Sequence, residues 1–154
     1  MQARQVFSTY TVEQDIDDGQ QFKHCPFCGT RLTLAEKGGR HRPTCPQCRF
    51  VQFRNPFPGA VVLIEQEGQV LLGRRSGSYG PGQWCLPMGF IEYDEDYLTA
   101  AIREVKEETG LDVEIRSILS VVSNFLSPRL HTLAIVLLAR VVGGELCAGD
   151  DLEA

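Results

Sequence analysis

Three features are missing from this sequence, and each absence removes a class of protein. No apolar run reaches the length of about 18 residues that a membrane-spanning helix needs. Residues 1–21 lack the basic-then-apolar pattern of a secretory signal, which predicts a cytoplasmic protein with no membrane partner. Positive charge is not in excess, because the formal net charge is -5. That balance argues against duplex DNA as the main partner, but a small anionic substrate can still bind through a metal ion.

The composition changes along the chain and divides it into segments. Residues 1–21 are predicted to form a polar arm, and residues 22–53 contain four of the six cysteines. Residues 54–58 include two prolines and are predicted to be an extended linker. The linker and the patterned remainder, 54–154, are predicted to form one folded domain.

The remainder of the chain alternates between strand and helix patterns. A continuous apolar run at 60–64 predicts a buried strand, and a second strand is expected to begin at 70–72. Residues 76–83 are rich in glycine and serine and are predicted to be a loop. Two further strands are expected at about 113–125 and 130–142. This order predicts an α/β fold with a mixed sheet covered by helix.

Residues 95–109 have a helical pattern. Asp94 is predicted to be the N-cap and Gly110 the C-terminal stop. The apolar residues at three- and four-residue spacing are predicted to face the core. They are Leu98, Ile102 and Val105.

Three carboxylates lie near the end of this helix. Glu104, Glu107 and Glu108 are at positions i, i+3 and i+4 and therefore share one face, where like charges repel. Their position near the C-terminus also opposes the helix dipole. A hard divalent cation would offset both effects. The alternative is an ordinary solvated acidic face.

The same stretch resembles the Nudix box, G-x5-E-x7-R-E-U-x-E-E-x-G-U, where U is a bulky aliphatic residue. Every fixed position matches. The matching residues are Gly89, Glu95, Arg103, Glu104, Val105, Glu107, Glu108, Gly110 and Leu111. The resemblance extends over roughly 56–142.

The resemblance implies a fold, an activity and roles for particular residues. The fold would be the Nudix α/β/α sandwich around a mixed sheet, and the activity would be hydrolysis of a diphosphate linked to a nucleoside. Mg²⁺ or Mn²⁺ would be bound by Glu104, Glu107, Glu108 and the Gly89 carbonyl. Arg103 would pair with Glu95. Of the three glutamates, Glu107 and Glu108 are the candidates for the general base, and the two are not distinguished.

Two C-x2-C pairs lie in the cysteine-rich segment, Cys25 with Cys28 and Cys45 with Cys48. Their separation is typical of a structural zinc site, in which four thiolates leave no position open for catalysis. The sequence therefore predicts a zinc ribbon. Redox pairs, disulfides and iron are the alternatives. The segment also has a basic excess, which favours either a phosphate partner or a solvated supporting hairpin.

Other polar and aromatic residues are candidates for substrate binding. Arg74 and Arg75 precede the glycine-rich loop, and at most one of them is expected to reach the site because neighbouring strand residues point to opposite faces. Trp84 could stack on a base, as could Tyr79 and Phe125, although core packing is the alternative for each. The remaining candidates are His131 as a base or a structural residue, and Asp150 or Glu153 as a further metal-binding acid.

A zinc ribbon ahead of a Nudix domain resembles the NADH, FAD and ADP-ribose pyrophosphatase group. The NADH enzymes carry the motif S-Q-P-W-P-F-P-x-S after the box, which residues 122–128 do not match. The chain therefore looks closer to the FAD or ADP-ribose type. One alternative is a nucleic-acid-binding or ligand-sensing regulator whose Nudix domain is inactive. Another is an enzyme that acts on a capped RNA end. Residues 149–154 resemble the segment that precedes a further strand and a terminal helix in this family. We expect either that the fold closes differently here or that the chain is truncated and a partner, such as a second copy in a homodimer, covers the exposed edge.

Overall fold

The computed structural model describes residues 6–8, 22–76, 80–127, 130–150 and 152–153, with the backbone alone for 6–8. Most of the predicted polar arm and Tyr79 lie outside these residues. The described elements are β1 (Val6–Ser8), β2 (Thr33–Lys37), β3 (Arg40–Thr44), β4 (Phe57–Gln66), β5 (Gln69–Val70), β6 (Gly73–Arg74), β7 (Trp84–Cys85), β8 (Met88–Phe90), α1 (Tyr97–Thr109), β9 (Leu111–Ser127) and β10 (Leu130–Gly144).

A six-stranded mixed sheet forms the centre of the structure, with the order β1-β9-β10-β4-β5 and β8 paired to β4. β10 runs antiparallel to β9 and parallel to β4. The apolar runs of β4 and β10 suit these inner positions, where Val62, Ile64 and Leu137 are buried in the core. The predicted mixed sheet is confirmed. The parallel strand β1, which follows no predicted pattern, was not anticipated.

The core lies between this sheet and α1. Val62, Ile64 and Leu137 from the sheet are buried against Val105 and Ala101 from the helix. The prediction that Leu98 and Ile102 also face the core is wrong, because they are 39% and 43% exposed. The helix instead turns its alanines inward, and these small side chains allow close contact with β4.

Both ends of α1 are capped, although the N-cap differs from the prediction. Asp96, not Asp94, accepts hydrogen bonds from the Leu98 and Thr99 N–H groups, at 2.8 and 3.1 Å. These bonds satisfy backbone donors that have no partner within the helix. Gly110 ends the helix in the left-handed region at φ 70°, as predicted, and donates to the Lys106 carbonyl.

The other strand predictions differ from the structure mainly at their ends. β9 and β10 are each longer than expected, and β4 begins within the predicted linker, at Phe57. The strand expected to begin at 70–72 is instead divided into two short strands. β5 ends at Val70, Leu71 packs against the core, and β6 begins at Gly73. Among the described residues, no helix is long and apolar enough to cross a membrane.

Candidate active site and cysteine cluster

The three helix carboxylates differ sharply in their exposure. Glu104 and Glu108 are 8% and 3% exposed, whereas the side chain of Glu107 is about half exposed. Glu108 is fixed by the Met88 N–H, which donates to its Oε2 at 2.9 Å. Burying a carboxylate is costly unless it is paired and hydrogen-bonded. Glu104 and Glu108 are both buried, so a cation near them would further stabilise their charged forms.

Gly89 provides the space in which the Glu104 carboxylate lies. A Cβ added to Gly89 would be 2.0 Å from both Cδ and Oε1 of Glu104. Strand pairing of Gly89 with Ala60 holds the backbone in that place. Any side chain at position 89 would therefore displace the carboxylate.

Arg103 connects the carboxylates to the strand that faces them. Its guanidinium pairs with Glu95, at 2.5 and 3.0 Å, and with Glu104 Oε1 at 2.8 Å. It also donates to Glu107 Oε2 at 3.0 Å and to the Phe90 carbonyl at 3.1 Å. A planar group with several donors can fix many acceptors at once. Arg103 therefore orients two of the three glutamates.

Electrostatics in this cluster reflect both burial and neighbouring charge. Burial raises the pKa of Glu104 above its ordinary value, Arg103 opposes that change, and the charges of Glu107 and Asp150 add to it. Hydrogen bonding to Arg103 lowers the pKa of Glu95. A divalent cation would favour the ionised form of Glu104, which the protein alone disfavours.

Residues 145–150 return along the end of α1, and residues 152–153 lie beside β6. Cys147 N–H and Gly149 N–H donate to the Thr109 and Glu108 carbonyls, each at 3.0 Å. These bonds satisfy acceptors at the end of the helix. They also bring the negative charge of Asp150 close enough to influence Glu104. This backbone contact was not predicted, because no local pattern signals it.

The predicted substrate residues lie on the small sheet formed by β6 and β7. Arg74 Nε pairs with Glu153 Oε1 at 2.9 Å. Trp84 is the cross-strand partner of Arg74 and is 61% exposed. Arg75 is half-buried and faces Leu152 across an isolated bridge. A role for these residues in substrate binding stays a prediction.

An aromatic cavity adjoins the strand that carries Gly89. It has a volume of about 490 Å³ and is lined by Phe57, Pro58, Phe90, Ile91, Glu92 and Leu130. The Phe57 and Phe90 ring centroids are 5.8 Å apart, and both residues are about half exposed. Sequence reasoning missed these two phenylalanines, although Phe90 follows Gly89 directly. The pairing of β8 with β4 brings them together.

The four cysteines of the C-x2-C pairs form one cluster. Their Sγ atoms all lie within 4.8 Å of one another. Three of the separations are 3.4, 3.5 and 3.7 Å. Tetrahedral zinc with Zn–S bonds of about 2.3 Å requires sulfurs about 3.8 Å apart. The cluster therefore fits a tetrahedral metal and is too open for disulfides, whose sulfurs are about 2 Å apart.

Proton affinities within this cluster are unequal. Hydrogen bonding with Thr30 lowers the pKa of Cys28 to about 6. The pKa of Cys48 is raised to about 12 despite a hydrogen bond from the Phe50 backbone, because the neighbouring thiols and burial outweigh that bond. Several thiols this close do not all ionise without a cation among them.

His131 and Phe125 lie beside each other on neighbouring strands, and their ring centroids are 4.7 Å apart. Burial lowers the pKa of His131, and the charge of Arg54 adds to that effect. This setting matches the structural alternative for both residues.

The family model described as the NUDIX domain matches residues 56–154. An ADP-ribose pyrophosphatase from Methanocaldococcus jannaschii is 43% identical over 106 residues, which are 68% of this chain and 63% of that protein. The NAD-capped RNA hydrolase NudC from Pseudomonas aeruginosa is 31% identical over 129 residues, which are 84% of this chain and 44% of that protein.

A solved structure is also similar. The crystal structure of a NUDIX hydrolase from Nitrosomonas europaea has a TM-score of 0.74 at 30% identity and covers 85% of this chain and 74% of that one. The chain spans less than two thirds of the length of the two curated relatives. Because 129 of 154 residues align with the Pseudomonas protein, that match necessarily includes part of the four-cysteine segment.

Proposed function

The chain belongs to the Nudix family, and we propose that it is a metal-dependent hydrolase of the diphosphate in a nucleoside diphosphate linked to a second group. The observation that carries this proposal is the buried pair Glu104 and Glu108, which lie against β8 at Gly89 and Met88, beside the exposed Glu107. The relatives named as hydrolases favour this activity over a regulator with an inactive domain.

We infer that the catalytic cation is Mg²⁺ or Mn²⁺, because the three glutamates offer oxygen ligands. Glu104, Glu107, Glu108 and the Gly89 carbonyl would hold the ion, since hard cations prefer oxygen ligands. When bound, the ion supplies charge neutralisation for the diphosphate and lowers the pKa of bound water. Glu95 bears on this chemistry only by holding Arg103 in place.

The chain's own residues position the reaction. Arg103 holds Glu107 by Oε2, and Oε1 has no hydrogen-bond partner among the described residues, so Oε1 accepts the proton of the attacking water. Glu108 is a weaker candidate for this base, because it is only 3% exposed, whereas the side chain of Glu107 is about half exposed and open to water. The water attacks one phosphorus in line, and the phosphate ester on the other side leaves.

ADP-ribose is the substrate type that we propose first. The relative of this type is the one with 43% identity. The cavity at Phe57 and Phe90 lies next to Gly89, and its volume of about 490 Å³ suits a nucleobase with its sugar. Aromatic rings can stack on a base there. Arg74, Arg75 and Trp84 are proposed as more distant substrate contacts.

A diphosphate at the 5′ end of an RNA is the second candidate substrate. The observation that favours it is the alignment with NudC, which reaches into the four-cysteine segment. Cleavage of ADP-ribose, the first candidate substrate, gives no role to the four-cysteine segment. FAD- and NADH-type compounds belong to the same chemical class and are included in the test.

The test is hydrolysis of a substrate panel in Mg²⁺ and then in Mn²⁺. The panel contains ADP-ribose, FAD, NADH, diadenosine polyphosphates, nucleoside triphosphates and a short RNA with a 5′ NAD cap. We expect one diphosphate compound to be cleaved by the wild type and not by Glu107→Gln. Glu67→Gln, which removes an exposed carboxylate from the turn between β4 and β5, is the matched control. Cleavage of none of these compounds by a folded, zinc-containing protein would contradict the proposal.

We propose that Cys25, Cys28, Cys45 and Cys48 hold a structural Zn²⁺ and that residues 22–53 form a zinc ribbon beside the Nudix domain at 54–154. The cluster geometry supports zinc, and the start of the family match at residue 56 supports the boundary. Elemental analysis of pure protein should find one zinc per chain. A protein without zinc, or with iron in its place, would overturn this assignment.

Location and assembly are also proposed. All six cysteines are free thiols, which favours a reducing compartment such as the cytoplasm. A homodimer stays a prediction. Light scattering at micromolar concentration should give about twice the chain mass, and a monomer would contradict it.

A further inference from the structure

The β2–β3 hairpin places three cations on one of its faces. Cross-strand partners share a face, and Lys37 is opposite Arg40 while Ala35 is opposite Arg42. Residues two apart along a strand also share a face. Lys37, Arg40 and Arg42 therefore lie together beside the two-glycine turn at 38–39. We call these three residues and Phe53 the hairpin cation face.

Nothing in the described part of the chain neutralises these charges. Like charges directly opposite in a strand pair are destabilising, and the ion pairs found among the described residues do not include Lys37, Arg40 or Arg42. Residues 22–53 contain six lysines and arginines and one acid, although the whole chain has a net charge of -5. Four zinc-bound thiolates would reduce this local excess without cancelling it. An anionic ligand would relieve the repulsion.

An aromatic ring adjoins the same cations. The Arg42 guanidinium lies 5.0 Å from the centroid of the Phe53 ring, and it also donates to the Lys37 carbonyl. Phe53 is nevertheless 62% exposed. An exposed ring beside fixed cations is the arrangement with which proteins bind single-stranded nucleic acid, because a base stacks on the ring while the cations contact phosphates.

We propose that the hairpin cation face binds the phosphate backbone of a single-stranded polynucleotide. Such binding does not depend on the hydrolysis proposed above. If the substrate is an RNA with a 5′ diphosphate, the face would hold the strand that follows the cleaved bond. A duplex is disfavoured because its bases are not available to Phe53. An anionic surface without bases would contact the three cations but would not stack on the Phe53 ring.

The test is fluorescence anisotropy with the full, zinc-loaded chain and a labelled uncapped strand of about 10 nucleotides, as RNA and as DNA, at about 50 mM salt. We expect binding of the single strand at least tenfold tighter than of the matching duplex. Lys37→Gln/Arg40→Gln should weaken it at least tenfold and reduce the slope of log affinity against log salt by about 1.4. Phe53→Leu should weaken it about fivefold.

The control is Arg116→Gln/Arg140→Gln, which removes the same charge from exposed residues of the central sheet. Equal losses in both double variants would mean attraction by overall charge and would overturn the proposal, as would no binding by the wild type. Binding to phosphatidylserine vesicles but not to either strand would assign the face to a membrane instead. Unchanged zinc content and small-substrate turnover in Lys37→Gln/Arg40→Gln would show that the loss is confined to this face.

Discussion

The four-cysteine segment and the sheet with its helix are stabilised in different ways. Among residues 22–53, only Cys25, Pro43 and Cys45 are buried. The sheet and α1 enclose an aliphatic core in which Val62, Val105 and Leu137 are fully buried. A region with so little apolar burial would depend on the proposed zinc for its order, whereas the second region has an apolar core of its own. The difference teaches that apolar burial can stabilise the one region and not the other.

Zinc removal should produce the largest effect and should separate the two regions. Structural zinc contributes about 10–16 kcal/mol of apparent binding free energy in small metal-folded units, so a chelator should abolish order in residues 22–53. Hydrogen exchange should then lose protection at the Cys25, Gly29, Cys45 and Arg49 amides, which are hydrogen-bonded in the cluster. The amides of β4 and β10 should stay protected. Loss of protection in both regions together would contradict the independent stability of the two regions.

Gly89→Ala should break the catalytic region without disturbing the zinc cluster. The added Cβ would occupy the position of the Glu104 carboxylate, so kcat should fall about 10- to 100-fold, as when a metal-site support is lost. Steady-state kinetics reports on the catalytic region and zinc analysis reports on the cysteine cluster, and both can be measured on the same sample. Gly143→Ala is the matched control, because its added Cβ would clash with nothing. The nearest atoms would be Oδ2 and Cβ of Asp112, at 3.4 and 3.8 Å. Equal kcat values for the two variants would refute this account of Gly89.

Gly149→Ala should test the contact between the C-terminal segment and the helix. A Cβ there would be 2.4 Å from the Glu107 carbonyl oxygen, which belongs to the helix backbone and cannot rotate away. We expect a loss of about 1–3 kcal/mol in unfolding free energy, measured by urea denaturation. The kcat should also fall, because Asp150 would move relative to Glu104. Ala148→Ser, at an exposed neighbour, should change neither quantity.

Asp96→Ala should give the smallest effect, a fall of about 2–4 °C in Tm, because it removes the N-cap of α1. Hydrogen bonds from Thr99 lower the pKa of Asp96, so its contribution to stability is present above the ordinary carboxyl range and is lost as the pH falls through the lowered pKa. The Tm difference between wild type and variant should therefore shrink below about pH 4. The Tm difference between Asp96→Asn and Asp96→Ala should instead stay constant with pH, because neither residue titrates. A constant difference between wild type and Asp96→Ala would argue against the cap.

The sequence predicted features that depend on spacing and missed those that depend on distant contacts. Helical spacing placed Glu104, Glu107 and Glu108 on one face, and C-x2-C spacing predicted the cysteine cluster. The sequence could not predict which of the three glutamates stays exposed, because their exposure depends on the position of β8.

Errors arose where two local solutions competed. Asp94 and Asp96 are both good N-caps, and the choice between them depends on where α1 meets the sheet. Leu98 and Ile102 have the spacing of core residues, but the sheet accepts small side chains, so Ala100 and Ala101 are buried instead. The aromatic pair of Phe57 and Phe90 arises only from strand pairing.

The central claim is that the helix glutamates hold the catalytic cation independently of the cysteine cluster. Electron paramagnetic resonance of added Mn²⁺ measures this most directly, because bound Mn²⁺ leaves the free-ion signal. We predict that the wild type binds Mn²⁺, that Glu104→Gln/Glu108→Gln does not, and that both proteins retain one zinc. Unchanged Mn²⁺ binding by the double variant would contradict the claim.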